Sequence, residues 1–126
     1  MEFPVFVAAG WGLVVAGFLT GAGMGLLAQR EDWLGGYNSR PRRLVRLGHI
    51  ALVALGALNV VWPLTTTAQI PSSMTPVISG LFLVGGLTMG PACFLTAFVW
   101  RARAVFLIPS TALIVGAILA TGVSLL

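Results

Sequence analysis

Few side chains in this sequence could take part in chemistry: one histidine, His49; one cysteine, Cys93; and three acids, Glu2, Glu31 and Asp32. His49 closes the run Arg40-Pro41-Arg42-Arg43-Leu44-Val45-Arg46-Leu47-Gly48-His49, which continues as an apolar segment to Trp62. Its imidazole could ligate a haem or a chlorophyll-type pigment, with Met24, Met89 or a neighbouring subunit's histidine completing a haem. Alternatively it hydrogen-bonds a loop carbonyl, a carboxylate or a lipid phosphate beside Arg46, or it touches a partner subunit. The hydrogen-bonding role is the expectation, because an imidazole this near the end of an apolar segment needs a partner and has water within reach.

The remaining candidates mostly exclude chemistry. No acid lies inside an apolar run, so no embedded carboxylate is available for a proton relay. With no second histidine and no Glu-xxx-His pair, the chain has no protein-only zinc, copper or di-iron site. A single cysteine inside an apolar run gives neither an internal disulfide nor a cysteine-rich metal centre. A Ser/His/Asp arrangement would have to use Asp32, which lies between apolar runs. The expectation is a non-enzyme with no catalytic residues and no metal ligands.

The elements that position His49 follow from composition. Of 126 residues, 58% are hydrophobic and 8% charged, and the mean hydropathy is +1.01. That leaves too little polar surface for a water-facing domain. The reading is a single all-α membrane domain over residues 1–126: a bundle of four transmembrane helices at about 3–28, 41–62, 76–100 and 105–125, each long enough for a bilayer core of about 30 Å. The first run has no basic segment before it, unlike a signal peptide. The connections carry turn signals: Gly35-Gly36 in the first, a Thr/Ser/Pro-rich stretch in the second, and a minimal Arg101-Ala102-Arg103 turn in the third. Trp62 is expected to mark the interface opposite the arginines, and Pro91 to kink helix three.

All the basic residues are arginine, and the net charge is +4. They flank apolar segments, so anionic lipid headgroups rather than nucleic acid are the expected partner of Arg40, Arg42, Arg43, Arg46, Arg101 and Arg103, with bound lipids accompanying the chain. The second loop carries no arginine. The positive-inside rule therefore puts the arginine-rich loops in the cytoplasm, both termini outside, and the protein in the cytoplasmic (inner) membrane. On helix two, taking Arg42 as zero, Arg46 falls at about 40° and His49 at about −20°. Val53, Gly56 and Val60 continue that face.

Small residues recur at helical spacing. Gly17-xxx-Gly21-xxx-Gly25 lies on helix one, with Gly12-xxx-Ala16-xxx-Thr20 beside it. Gly86-xxx-Gly90 lies on helix three and Ala112-xxx-Gly116-xxx-Ala120 on helix four. Such rows let helix backbones approach closely, within one chain or between subunits. In size and helix count the chain resembles the small multidrug exporters and the small fluoride channels. Helix one lacks the exporters' embedded glutamate, and the surroundings of Gly85-Gly86-Leu87-Thr88 lack the Thr/Ser/Phe-rich run that lines the fluoride pore. The arginine bias also opposes the dual topology of both families, and the chain is assigned to neither.

Two functions fit. The first is a non-catalytic accessory subunit packing against a larger integral membrane complex, one that handles electrons or protons. The second is a small carrier or channel acting as a homo-oligomer, with Pro91 and Gly85-Gly86 forming a discontinuous helix. Small-residue rows and the scarcity of polar groups at mid-depth favour the first.

Overall fold

The first long helix, α1, spans Phe3–Leu27 and is apolar on every side. A short 3₁₀ turn at Trp33–Gly35 leads to α2, Arg40–Thr65. The remaining helices are α3, Met74–Phe98, and α4, Leu107–Ser124. The structure is a computed structural model that describes residues 3–66 and 70–126. Glu2 and the centre of the second loop lie outside the described residues. Among the described residues there is no strand, and four helical segments are long and apolar enough to cross a membrane.

Local chemistry explains the helix limits. Ser39 caps α2 by accepting from the Arg42 N–H at 3.3 Å, and Pro41 sits in the first turn, where its missing N–H costs nothing. At the far end α2 runs past Trp62 and through Pro63 to Thr65. Pro63 leaves the Asn59 carbonyl without its helical N–H partner, a loss confined to the last two turns of α2. Likewise α3 continues through Pro91, so the helix is not interrupted at that residue. The Arg101-Ala102-Arg103 turn is longer than its spacing suggests. It belongs to a 3₁₀ segment, Trp100–Phe106, that runs directly into α4.

α2 and α3 form the centre of the bundle. α1 packs on α2 and more lightly on α3, while α4 packs on α3. The two outer helices consequently bury a smaller share of their length than the two central ones. Trp62 is buried within the bundle. Its ring meets Phe82 edge-on, 5.8 Å between centroids and 86° between planes, a favourable aromatic geometry. Ile78 and Val123 complete this cluster, which joins α2, α3 and α4. One polar tie crosses the centre: Asn59 Nδ2 donates to the Phe82 carbonyl at 3.0 Å and to the Leu55 carbonyl at 2.8 Å.

Candidate functional site

The arginine-rich end of the bundle is built around a tight reversal. Leu34, Gly35 and Gly36 follow one another with φ of 53°, 88° and 100°. Glycine takes two of these left-handed positions at no steric cost. Leu34, the exception, has its carbonyl held by the Ser39 hydroxyl at 2.6 Å. Since Ser39 also caps α2, one hydroxyl fastens the turn to the start of the next helix.

Arg42 is 93% buried, with a relative exposure of 7%. Its Nη2 donates to the Ala28 carbonyl at 3.0 Å and its Nη1 to the Glu31 carbonyl at 3.3 Å. It thereby satisfies a carbonyl left open where α1 ends and places its charge at the negative end of that helix. Its guanidinium also lies 5.5 Å from the Trp33 ring and 5.7 Å from the Tyr37 ring. Arg46 stacks more closely on Tyr37, at 4.3 Å. Arg40 and Arg103 both stack on Trp100, at 4.2 and 5.4 Å. The two arginine clusters thus share one end of the bundle. Arg43 and Arg101 are exposed there.

One helical turn inside this layer, His49 Nδ1 lies 2.7 Å from the Gly17 carbonyl. A carbonyl only accepts, so Nδ1 carries the proton. In the neutral ring Nε2 is then left with its lone pair free. The same carbonyl also accepts from the Thr20 hydroxyl at 2.9 Å. The imidazole lies against Gly21, where an added Cβ would be 2.9 Å from Nδ1 and 3.0 Å from Nε2. The Nδ1 partner is therefore a helix carbonyl on α1 and not a loop carbonyl.

Below His49 the seam between α1 and α2 is close; above it the seam opens. An added Cβ at Gly10 would stand 2.8 Å from the Gly56 carbonyl oxygen, and one at Gly17 would stand 3.0 Å from the Val53 backbone nitrogen. At Gly21 the neighbour is a side chain, and at Gly25 nothing lies within 4 Å. The opening forms a groove of about 410 Å³. Its walls are Gly21, Met24, Gly25 and Ile50, and its upper rim is Trp33, Tyr37, Arg42 and Arg46, with His49 also lining it.

The other glycines of interest fill internal seams. Gly86 meets Leu13 and Asn59, Gly90 meets Leu52, and Gly116 meets Phe82. Gly10 and Gly48 were not singled out from the sequence and Gly56 only as a member of the His49 face, yet all three lie in close seams. Gly10 precedes Gly17 by two helical turns, so spacing alone could have found it. Met24 shares the groove with His49. Met89 is half-buried on α3, and Cys93 is buried on the same helix. Among the described residues no three His, Cys, Asp or Glu side chains gather as a metal site. Compared with family models, with curated proteins and with solved structures, the chain finds no match in any of the three.

Proposed function

We propose that this chain is a non-catalytic structural subunit that packs against a larger integral membrane assembly through the outward side of α1. The observation that carries this reading is a row of hollows and ridges on that side. Gly12, Ala16, Leu19, Gly23 and Leu26 fall within an arc of about 80° around the helix. A Cβ at Gly12 or Gly23 meets nothing, whereas Leu19 and Leu26 are largely exposed. Hydrocarbon tails pack against any apolar face, but alternating hollows and ridges fit a second helix specifically, because dispersion contacts drive helix association in a bilayer. His49, with Nε2 uncommitted in its neutral form, makes an assembly that handles electrons or protons the class proposed. The carrier or channel reading has less support, since Gly85 is filled by Leu113 and Gly86 by Leu13 and Asn59.

Purification in mild detergent from the membranes of the source cells tests the proposal. Co-purifying larger subunits support it, whereas a discrete homo-oligomer favours the carrier or channel. The proposed setting is the cytoplasmic membrane with the arginine-rich end inside. Ser72 and Asn38 are both exposed, so a cysteine at Ser72 should be labelled by an impermeant reagent in intact cells and one at Asn38 should not. The reverse pattern contradicts the orientation.

A further inference from the structure

We propose that the groove between α1 and α2 is a binding site for one anionic phospholipid, its phosphate held by Arg46 with the buried charge of Arg42 behind it, and one acyl chain lying along Gly25, Met24 and Ile50. This rests on the membrane setting proposed above but not on the docking role, since it is read on the isolated chain.

The groove has two chemically distinct parts. Its walls are apolar, and at Gly25 its floor has no neighbour within 4 Å. Its rim carries two guanidinium groups whose contacts are neutral. Arg42 donates to two backbone carbonyls, one of them that of Glu31, and faces Trp33 and Tyr37. The Arg46 guanidinium carbon lies 4.3 Å from the centre of the Tyr37 ring. Carbonyls and aromatic faces stabilise a guanidinium without cancelling its charge, so the rim stays positive. The start of α2 adds the positive end of its dipole.

Stacking also decides what Arg46 can still bind. A cation–π contact leaves guanidinium N–H donors available, and those donors match a phosphate in two-point geometry. Tyr37, 4.3 Å from the Arg46 guanidinium carbon, therefore helps to place that donor group at the rim. A volume of about 410 Å³ lies in the range of small-ligand pockets, roughly 300–1,000 Å³. That suits one chain and part of a headgroup, not a partner helix. Charge selects among lipids: a zwitterionic headgroup brings its own ammonium to an already cationic rim, whereas a headgroup of net negative charge does not.

The test is native mass spectrometry of the detergent-purified, delipidated chain, with phosphatidylglycerol or phosphatidylcholine added in the same micelles. One saturable phosphatidylglycerol should bind, with phosphatidylcholine weaker by about tenfold, and Arg46→Gln should lower phosphatidylglycerol retention by about tenfold. Gly25→Leu should fill the groove and exclude the lipid. Ile50→Trp should narrow it from the α2 side, giving a second variant should the first fail to fold. Arg43→Gln and Gly12→Leu, outside the groove, should leave retention unchanged. An equal loss in Arg43→Gln would mean a diffuse electrostatic belt and would overturn the site. So would retention that survives both groove-filling variants in folded protein. A visible absorption band that disappears in His49→Ala would give the groove to a pigment instead.

Discussion

Two sets of glycines on one helix are used in different ways. At Gly10, Gly17 and Gly21 of α1 an added Cβ would press on α2, whereas at Gly12, Gly23 and Gly25 it would meet nothing. Residue type is the same in both sets, so what separates them is angle around the helix and distance along it. Gly12 and Gly23 point away from α2. Gly25 lies on the same row as Gly21, about 40° away, but beyond the point where the two helices part. A glycine row thus marks where a close approach is allowed. Where it occurs depends on the crossing of the two helices.

The contrast can be broken most severely at Gly56. A Cβ there would sit 2.8 Å from the Gly10 carbonyl and 2.9 Å from the Val14 backbone nitrogen. Both neighbours are backbone, which cannot rotate aside. Gly56→Leu should cost at least the upper end of the roughly 1–3 kcal/mol typical of overpacking, read as a lowered midpoint in detergent-based unfolding. A midpoint equal to that of the parent chain would mean α1 and α2 do not cross here.

Gly21→Leu should cost less, roughly 1–2 kcal/mol, because the atoms in its way belong to the His49 ring, and a side chain can swing out. Gly12→Leu, on the open side of α1, should leave the unfolding midpoint of the isolated chain within about 0.5 kcal/mol. Equal effects at the two positions would erase the distinction between the faces.

A small effect is also expected at His49 itself. Interhelical hydrogen bonds in membranes average about 0.6 kcal/mol. His49→Gln, whose amide can still donate toward the Gly17 carbonyl, should therefore shift the midpoint by less than His49→Ala. A loss from His49→Gln as large as that from Gly21→Leu would mean the imidazole does more than bridge two helices.

Much of the architecture was readable from the sequence, because apolar runs of 20 or more residues and flanking arginines are long, redundant signals. The helical-wheel face of Arg42, Arg46, His49, Val53, Gly56 and Val60 is a case in point. Gly17 meets Val53, Gly21 meets His49, and Gly10 meets Gly56 and Val60, so that face is the one α2 turns to α1. The site was less legible. Tyr37 and Trp33 could be read only as loop aromatics, since stacking with Arg42 and Arg46 depends on a turn whose path Leu34, Gly35 and Gly36 set through positive φ. Trp62 was read as an interfacial anchor from its position at a helix end; its burial against Phe82, within the last turn of α2, could not be read from that position. The acceptor for His49 was hidden because nothing in the local sequence reports a carbonyl 32 residues earlier.

Inward glycines hold the chain together, and the outward ones are proposed to receive a partner helix. Native gel electrophoresis of mildly solubilised source membranes carrying either the parent chain or the double variant Gly12→Leu/Gly23→Leu separates these two roles. The parent chain should migrate in a large assembly. The double variant should leave that assembly and run alone, with its own unfolding midpoint unchanged. A parent chain that runs alone, or a double variant that stays in the assembly, contradicts the proposed docking.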